Sequence, residues 1–244
     1  MASAMKKQDL FYRTVVHPKD LIPFHVEEEE SNLLILAEKD LTGQARTELL
    51  RQRDLLKQYI CQHPEFYYSF SPVVITDGPE VVKRMAEAAW LTDTGPMASV
   101  AGTLAEMVGS YLLKESENVI VENGGDIFLR CQKTTVIAIY AKDSPFSLKI
   151  GLKLPGADFS RGLATSSGTV GHSWSFGQAD AVTVLCRSAS LADAAATYLG
   201  NLVHSKDDFP AVEDKLKTLP FIEGVVIIAG KEMLVWGNIE LVSL

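Results

Sequence analysis

The sequence has few cysteines, no surplus of positive charge and no long apolar run, and each shortage argues against particular classes of protein or partner. Its three cysteines among 244 residues show no CxxC spacing, so we expect reduced thiols. Lysine and arginine number 23 against 31 acidic residues, a net charge of −8, which argues against nucleic acid or an anionic membrane as the main partner. No segment has the length of a membrane span, and the N-terminus lacks an apolar run typical of a signal peptide. We therefore expect a cytoplasmic protein.

Several common motifs are also missing. The sequence contains no GxGxxG, GxxxxGK[ST] or GxSxG segment, which argues against Rossmann, P-loop and α/β-hydrolase assignments. Hydrophobic residues make up 47% and charged residues 22%, as in ordinary globular proteins. Because no repeat or linker divides the chain, we predict a single domain over residues 1–244.

The order of apolar patterns predicts strands on both sides of a central group of helices. Helices are expected at residues 42–60, with Thr42 as the N-cap, after Pro79, at 98–114, after Ser188 and at 210–219. Strands are expected at residues 10–17, 22–28, 33–38, 119–122, 127–131, 135–141, 148–154, 181–186, 225–229 and 233–236. This arrangement favours an α+β fold with mixed or antiparallel sheets around a helical block.

The third predicted helix has one face of small residues that includes Gly102 and Gly109. Each glycine costs a helix about 1 kcal/mol relative to alanine, so we expect a neighbouring strand or a ligand to approach this face closely. Together with the aromatic cluster at residues 66–70, the small face is also compatible with a homodimer.

Residues 162–202 combine a polar loop, a buried strand and an alanine-rich helix. Asp193 and Thr197 lie four residues apart on that helix and therefore on one face, where they offer hard oxygen ligands to Mg²⁺ or Ca²⁺. A capping box of Ser190 and Asp193 is the structural alternative, but it leaves the mid-helix threonine unexplained.

Two polar loops supply further candidates. Thr165, Ser166 and Ser167 could hold a phosphate with hydroxyls and backbone amides, or form an ordinary turn. His172 is a candidate catalytic base or ligand, or a hydrogen-bonded loop residue. The Asn-Gly-Gly sequence at residues 123–125 predicts a tight hairpin turn, and its glycines would also let the backbone approach a ligand.

Four segments, in this order, resemble the ApbE superfamily of flavin transferases, which use FAD and Mg²⁺, and most of all its UPF0280 branch. They are residues 95–112 (GPMASVAGTLAEMVGSYL), 122–129 (ENGGDIFL), 162–168 (GLATSSG) and 179–203 (ADAVTVLCRSASLADAAATYLGNLV). The resemblance implies an α+β fold with FAD, or another flavin or dinucleotide, in a cleft. It also implies an acceptor protein and, for the branch, a connection with sulfur assimilation and homocysteine formation in anaerobes.

The resemblance also implies a set of site residues. Asp193 and Thr197 match the Asp and Thr of the A-D-A-x-A-T motif that holds Mg²⁺, and a carbonyl near Ala98 is a looser match to the third ligand. The segments near the flavin match Gly124, Gly125, Asp126, Thr165 and Ser166, and the adjacent Ser167 is a further cofactor-binding candidate.

The sequence also departs from the transferases at three places. Residues 98–102 read ASVAG where the family has G-I-A-K-G, and Glu106 stands where it has an aspartate. Residues 171–177 read GHSWSFG in place of H-I-I-D-P-x-T-G. Three functions therefore stay open: Mg²⁺-dependent FMN transfer or FAD cleavage, flavin or nucleotide binding as a non-catalytic accessory protein, and a scaffold without a small ligand.

Overall fold

Two antiparallel sheets and one layer of helices form the described part of the chain, residues 20–166 and 177–244 of a computed structural model. The strand predicted at residues 10–17 lies outside these residues, as do Ser167 and His172. The strands are β1 (Ile22–Glu28), β2 (Ser31–Ala37), β3 (Val119–Asn123), β4 (Asp126–Arg130), β5 (Thr135–Ala138), β6 (Ile150–Leu154), β7 (Arg161–Ser166), β8 (Ala181–Cys186), β9 (Ile222–Ala229), β10 (Glu232–Gly237) and β11 (Glu240–Ser243).

The larger sheet has eight strands in the order β1-β2-β3-β4-β7-β8-β9-β10, and every neighbouring pair is antiparallel. A three-stranded antiparallel sheet has the order β11-β6-β5. The α+β prediction is confirmed, and of its two alternatives, mixed or antiparallel, the described sheets are antiparallel.

The helices are α1 (Thr42–Gln62), α2 (Glu65–Tyr68), α3 (Glu80–Thr92), α4 (Val100–Leu112), α5 (Ala189–Leu202) and α6 (Phe209–Leu216). They cover one face of the large sheet, and the small sheet covers the other. Strand β2 shows how the sequence produces these layers. Leu33 and Ile35 pack in the core beneath the helices, whereas Leu34 and Leu36 pack in the core on the side of the small sheet, because successive side chains of a strand point to opposite faces.

Two predicted helix starts are wrong in detail. The sequence favours Thr42 as the cap of α1, but Leu41 occupies the N-cap position without a side-chain hydrogen bond. The Thr42 hydroxyl donates instead to the Asp40 carboxylate, 2.6 Å away. The third predicted helix begins as a 3₁₀ turn, Pro96–Ser99, and continues as α4.

The small-residue face of α4 is filled from within the domain. A Cβ on Gly102 would lie 2.3 Å from the carbonyl oxygen of Ala189 on α5, and one on Gly109 would lie 2.1 Å from the ring of Phe128 on β4. A helix and a strand therefore make the close approach that the glycines predict. This face does not remain available for a second subunit, and the homodimer stays a prediction that rests on the exposed aromatic side chains of Tyr67, Tyr68 and Phe70.

None of the helices in the described residues combines the length and the apolar character needed to cross a bilayer.

Candidate functional site

Helix α5 packs directly on strand β7. A Cβ on Gly162 of β7 would lie 2.2 Å from the backbone nitrogen of Ala189, so the two backbones touch where α5 begins. From this contact, Asp193 and Thr197 follow at successive turns of α5. Both are buried, in a helix whose other buried residues are mostly alanines.

Asp193 connects α5 to the start of α4. Its side chain is buried, with 8% of its surface exposed. Its Oδ2 atom accepts a hydrogen bond of 2.8 Å from the backbone N–H of Gly102. The capping box predicted for Ser190 and Asp193 is wrong, because the N-cap residue is Ser188, whose hydroxyl accepts from the backbone N–H of Leu191.

Asp126 approaches the same region from the sheet. It follows the tight turn between β3 and β4, in which Gly124 and Gly125 have φ angles of +69° and +108°. This confirms the predicted hairpin. Asp126 pairs across the ladder with Ala164 of β7, whose side chain packs beneath the helices, so Asp126 lies on the helical face of the sheet.

The two aspartates form an acidic pair in which Asp193 is buried and Asp126 is partly buried. Burial raises the pKa of Asp193 to about 7, although the backbone N–H groups of Gly102 and Ala101 act in the opposite direction. Burial also raises the pKa of Asp126 well above its usual range, and the nearby carboxylates of Asp193 and Glu122 raise it further. Two carboxyl groups in this environment cannot both ionise without cost unless a cation joins them.

The described residues do not supply that cation. Within residues 20–166 and 177–244, neither aspartate forms an ion pair with a lysine, arginine or histidine. The same residues contain no group of three or more acidic, histidine or cysteine side chains arranged around a common metal position. The pair thus provides at most two carboxylates, and any bound cation needs further oxygen ligands.

Thr197 and Ala98 are the other two candidates for the cation. Thr197 is 8% exposed, and its hydroxyl has no hydrogen bond to any residue of the described chain. Ala98 lies in the 3₁₀ turn before α4, and this turn packs against α5. Both predicted positions therefore belong to the elements that surround Asp193.

The predicted phosphate-binding hydroxyls separate onto opposite faces of β7. Thr165 contacts the hydroxyl of Thr183 on β8, 3.0 Å away, on the face toward the small sheet. Ser166 lies two residues after Ala164 and so shares the helical face with the acidic pair. The backbone N–H of Thr165 donates to the carbonyl of Gly125, which holds the two predicted flavin segments together.

Asn123 is a site residue that the sequence marks only as part of a turn. It is 6% exposed, and its amide donates a hydrogen bond of 3.0 Å to the carbonyl of Ala101. This bond connects the hairpin that carries Asp126 to the α4 end that contacts Asp193. Its place after Glu122 at the polar end of a short apolar strand, just before two glycines, is the only signal for it in the sequence.

The fold is that of the ApbE-like class of proteins. The structure resembles the flavin transferase ApbE from Vibrio cholerae with a TM-score of 0.59 over 91% of this chain and 98% of that chain, at 14% identity. It also resembles the apo form of the Pseudomonas stutzeri flavinyl transferase ApbE, with a TM-score of 0.54 over 88% of this chain and 93% of that chain, at 16% identity. At these identities the likeness establishes the fold.

The sequence comparisons identify the family. A family model described as "AbpE bacteria" matches residues 13–216. A UPF0280 protein of Methanococcus aeolicus is 41% identical over 209 residues, which cover 83% of this chain and 84% of that protein. A UPF0280 protein of Methanospirillum hungatei is 39% identical over 217 residues, covering 88% of this chain and 87% of that protein. The chain belongs to the UPF0280 family within the ApbE-like superfamily.

Proposed function

We propose that this protein binds FAD together with Mg²⁺ at the junction of α5, the 3₁₀ turn and the ends of β4 and β7. The observation that carries the proposal is the acidic pair of Asp126, which is partly buried, and Asp193, which is buried. Two neighbouring carboxyl groups whose ionisation is unfavourable, without a basic partner among the described residues, are suited to an added divalent cation.

The available ligand atoms fit Mg²⁺ better than a softer metal. Asp193 and Thr197 offer a carboxylate and a hydroxyl from one helix face, and the carbonyl of Ala98 is the candidate third ligand. Mg²⁺ prefers oxygen and usually keeps only one or two protein carboxylates, with phosphate oxygens completing its shell. When bound, it would neutralise charge on the pyrophosphate of FAD.

The flavin-binding role falls on the two segments joined by the Thr165–Gly125 hydrogen bond. Gly124 is exposed, and no atom lies within 4 Å of the position of a Cβ there, so a ligand can approach the backbone of this turn. Ser166 offers its hydroxyl on the helical face. Ser167 and His172, as a second phosphate contact and a candidate base for the acceptor, complete the proposed set from outside the described residues.

Catalysis is the stronger form of this proposal: cleavage of the FAD pyrophosphate with transfer of FMN to a protein acceptor or to water. The alternative is flavin or nucleotide binding without turnover, in an accessory protein. The sequence GHSWSFG at residues 171–177, where the transferases have H-I-I-D-P-x-T-G, is the observation that favours the alternative.

A single experiment tests both forms. Purified protein is incubated with FAD, with and without Mg²⁺, while flavin fluorescence reports binding and chromatography reports FMN and AMP. Asp193→Asn should abolish the Mg²⁺-dependent part of binding and any turnover. Asp208→Asn is the matched control, because Asp208 also accepts backbone N–H bonds, from His204 and Ser205, at a separate place in the fold.

The outcomes separate the possibilities. Mg²⁺-dependent release of FMN or AMP supports the enzyme, and saturable binding without product supports the accessory protein. If the wild-type protein does not bind FAD at any Mg²⁺ concentration, or if Asp193→Asn behaves like the control, the proposed site is wrong.

A further inference from the structure

A row of buried hydrogen bonds joins α4 to α5 beside the acidic pair. The backbone N–H of Gly102 donates to Asp193, and the hydroxyls of Thr103 and Ser190 lie 2.7 Å apart. One turn further along α4, the Glu106 carboxylate accepts from the hydroxyl of Ser188 at 2.7 Å and from the backbone N–H of Ser190 at 3.1 Å. The contacts advance along α4 as they retreat along α5, so the two helices are held antiparallel.

Glu106 is the charged member of this row. It is 7% exposed, and Arg84 of α3 forms an ion pair with its second oxygen. The carboxylate therefore joins three helices: Arg84 on α3, its own α4 and the first turn of α5. A helix start leaves backbone N–H groups unsatisfied, and Glu106 satisfies the one at Ser190 with a charge-assisted bond.

The position of α5 is restrained in both directions. Gly102 already brings the α4 backbone against Ala189, since a Cβ there would lie 2.3 Å from the carbonyl oxygen of Ala189, so the helices cannot move closer. The bonds to Glu106 and Thr103 resist their separation. The Gly102–Asp193 bond of 2.8 Å reaches the limit of a hydrogen bond after a displacement of only about 0.7 Å.

We infer that Glu106 is a positioning residue for Asp193: it holds α5 in the place where the Asp193 carboxylate meets the Gly102 amide and the candidate cation. This inference rests on the proposed function for its consequence, because the cation site is the group being positioned. Its structural part, control of the Gly102–Asp193 contact, does not depend on any ligand.

Glu106→Gln is the direct test. The substitution keeps the size of the side chain, but its NH₂ group cannot accept a hydrogen bond and must face either Arg84 or the Ser190 N–H. Glu48→Gln is the matched control: Glu48 is a 4% exposed carboxylate of the same helical layer that also pairs with an arginine, Arg51, but it lies on α1.

Two measurements are made on each variant. The first is the amide proton chemical shift of Gly102 in the ligand-free native state, which reports its bond to Asp193 and not the overall stability. We expect an upfield change in Glu106→Gln and none in Glu48→Gln. The second is the affinity for Mn²⁺, used as a paramagnetic probe for the Mg²⁺ position, in the presence of FAD. We expect a loss of about tenfold or more in Glu106→Gln, the size typical when a group that orients a metal ligand is removed.

Each result decides the question. An unchanged Gly102 amide in folded Glu106→Gln overturns the inference, even if the variant is less stable, because Glu106 would then only support the fold. A changed amide with unchanged Mn²⁺ affinity also overturns it, since the contact would not matter to the site. If the wild-type protein does not bind Mn²⁺ with FAD, the proposed function fails, and the Gly102 amide still decides the structural part.

A second variant keeps the inference testable should Glu106→Gln not fold. Ser188→Ala removes the hydroxyl that donates to Glu106 at 2.7 Å, but it keeps the backbone N–H of Ser190 and the ion pair of Glu106 with Arg84. Because Glu106 then loses one of its two bonds to the start of α5, we expect both readouts to move in the same direction as in Glu106→Gln. Wild-type values of both in folded Ser188→Ala would overturn the inference.

Discussion

Asp193→Asn should make the cation-free protein more stable at alkaline pH, although it removes a buried hydrogen-bonding carboxylate. The reason is that the folded protein holds Asp193 in a position where ionisation is unfavourable. Asparagine has almost the same size and can still accept the Gly102 N–H, but it never ionises. The substitution therefore removes a cost that the wild-type protein carries once Asp193 loses its proton.

The sign and size of the change in the free energy of unfolding follow from the pKa of Asp193. Burial raises the pKa of Asp193 from 3.8 to about 7 in the folded state. Between these values the folded state binds more protons than the unfolded state, so stability falls as the pH rises through this window and is lowest above pH 7. At about 1.4 kcal/mol per pKa unit, the cost at pH 8 is about 4 kcal/mol. The weaker bond that Gly102 makes to a neutral amide offsets about 1 kcal/mol, which leaves a net stabilisation of about 3 kcal/mol.

The assay is guanidinium-induced unfolding of wild type and variant in a chelating buffer at pH 5.5 and pH 8. The advantage of Asp193→Asn should be about 2 kcal/mol larger at pH 8, because that interval contains the upper half of the titration. Asp208→Asn provides the opposite case. Backbone hydrogen bonds from His204 and Ser205 lower the pKa of Asp208, so its replacement should destabilise the protein at pH 8.

A lower free energy of unfolding for Asp193→Asn at pH 8 would refute this reasoning. Asp193 would then stabilise the fold as a charged helix residue, and its burial would need no functional explanation. The same result would weaken the proposed cation site, because the uncompensated acidic pair is the observation on which that site rests.

Four further substitutions test the same region. Thr197→Val should leave the free energy of unfolding within about 0.5 kcal/mol of the wild-type value, because the Thr197 hydroxyl has no partner among the described residues. The substitution should nevertheless weaken Mn²⁺ binding in the presence of FAD. A large loss of stability in denaturation would contradict the proposed role of Thr197. Gly102→Ala should lower the free energy of unfolding by about 1–3 kcal/mol and also weaken Mn²⁺ binding, because the new Cβ would press against the α5 backbone at Ala189. Wild-type stability and binding would show instead that the two helices can separate freely. Gly125→Ala should lower the free energy of unfolding by about 1–3 kcal/mol, because the φ angle of Gly125 is +108°. Gly124→Asn should lower it by less than about 1 kcal/mol, because the φ angle of Gly124 is +69° and a Cβ there would lie in open space. Equal losses in the two variants would contradict the turn geometry.

Local patterns predict most of the elements correctly. The Asn-Gly turn between β3 and β4 follows from the requirement for positive φ at two successive residues, and the structure has glycines with positive φ at both. The alanine-rich helix is expected to start near Ser188, and Ser188 is its N-cap. Strand β11 does not follow from local patterns, because its four residues are stabilised by pairing with β6, almost ninety positions earlier in the chain.

In the candidate site too, some features follow from local sequence and others depend on partners far away in the chain. The spacing of Asp193 and Thr197 is enough to place them on one helix face, because the helical period is a local property. The roles of Glu106 and Asn123 do not follow from the sequence, since each depends on a partner in another element, Ser188 and Ser190 for Glu106 and Ala101 for Asn123.

Turn chemistry, periodicity and motif order are properties of neighbouring residues, so they were enough to predict most of the elements, the antiparallel or mixed character of the sheets and the family. The tertiary structure alone decided that Ser166 and not Thr165 shares a face with the acidic pair, since register across β4 and β7 sets the face. It also buried Asp193 and brought the partly buried Asp126 near it, which raises their pKa values and turns two ordinary aspartates into a candidate cation site.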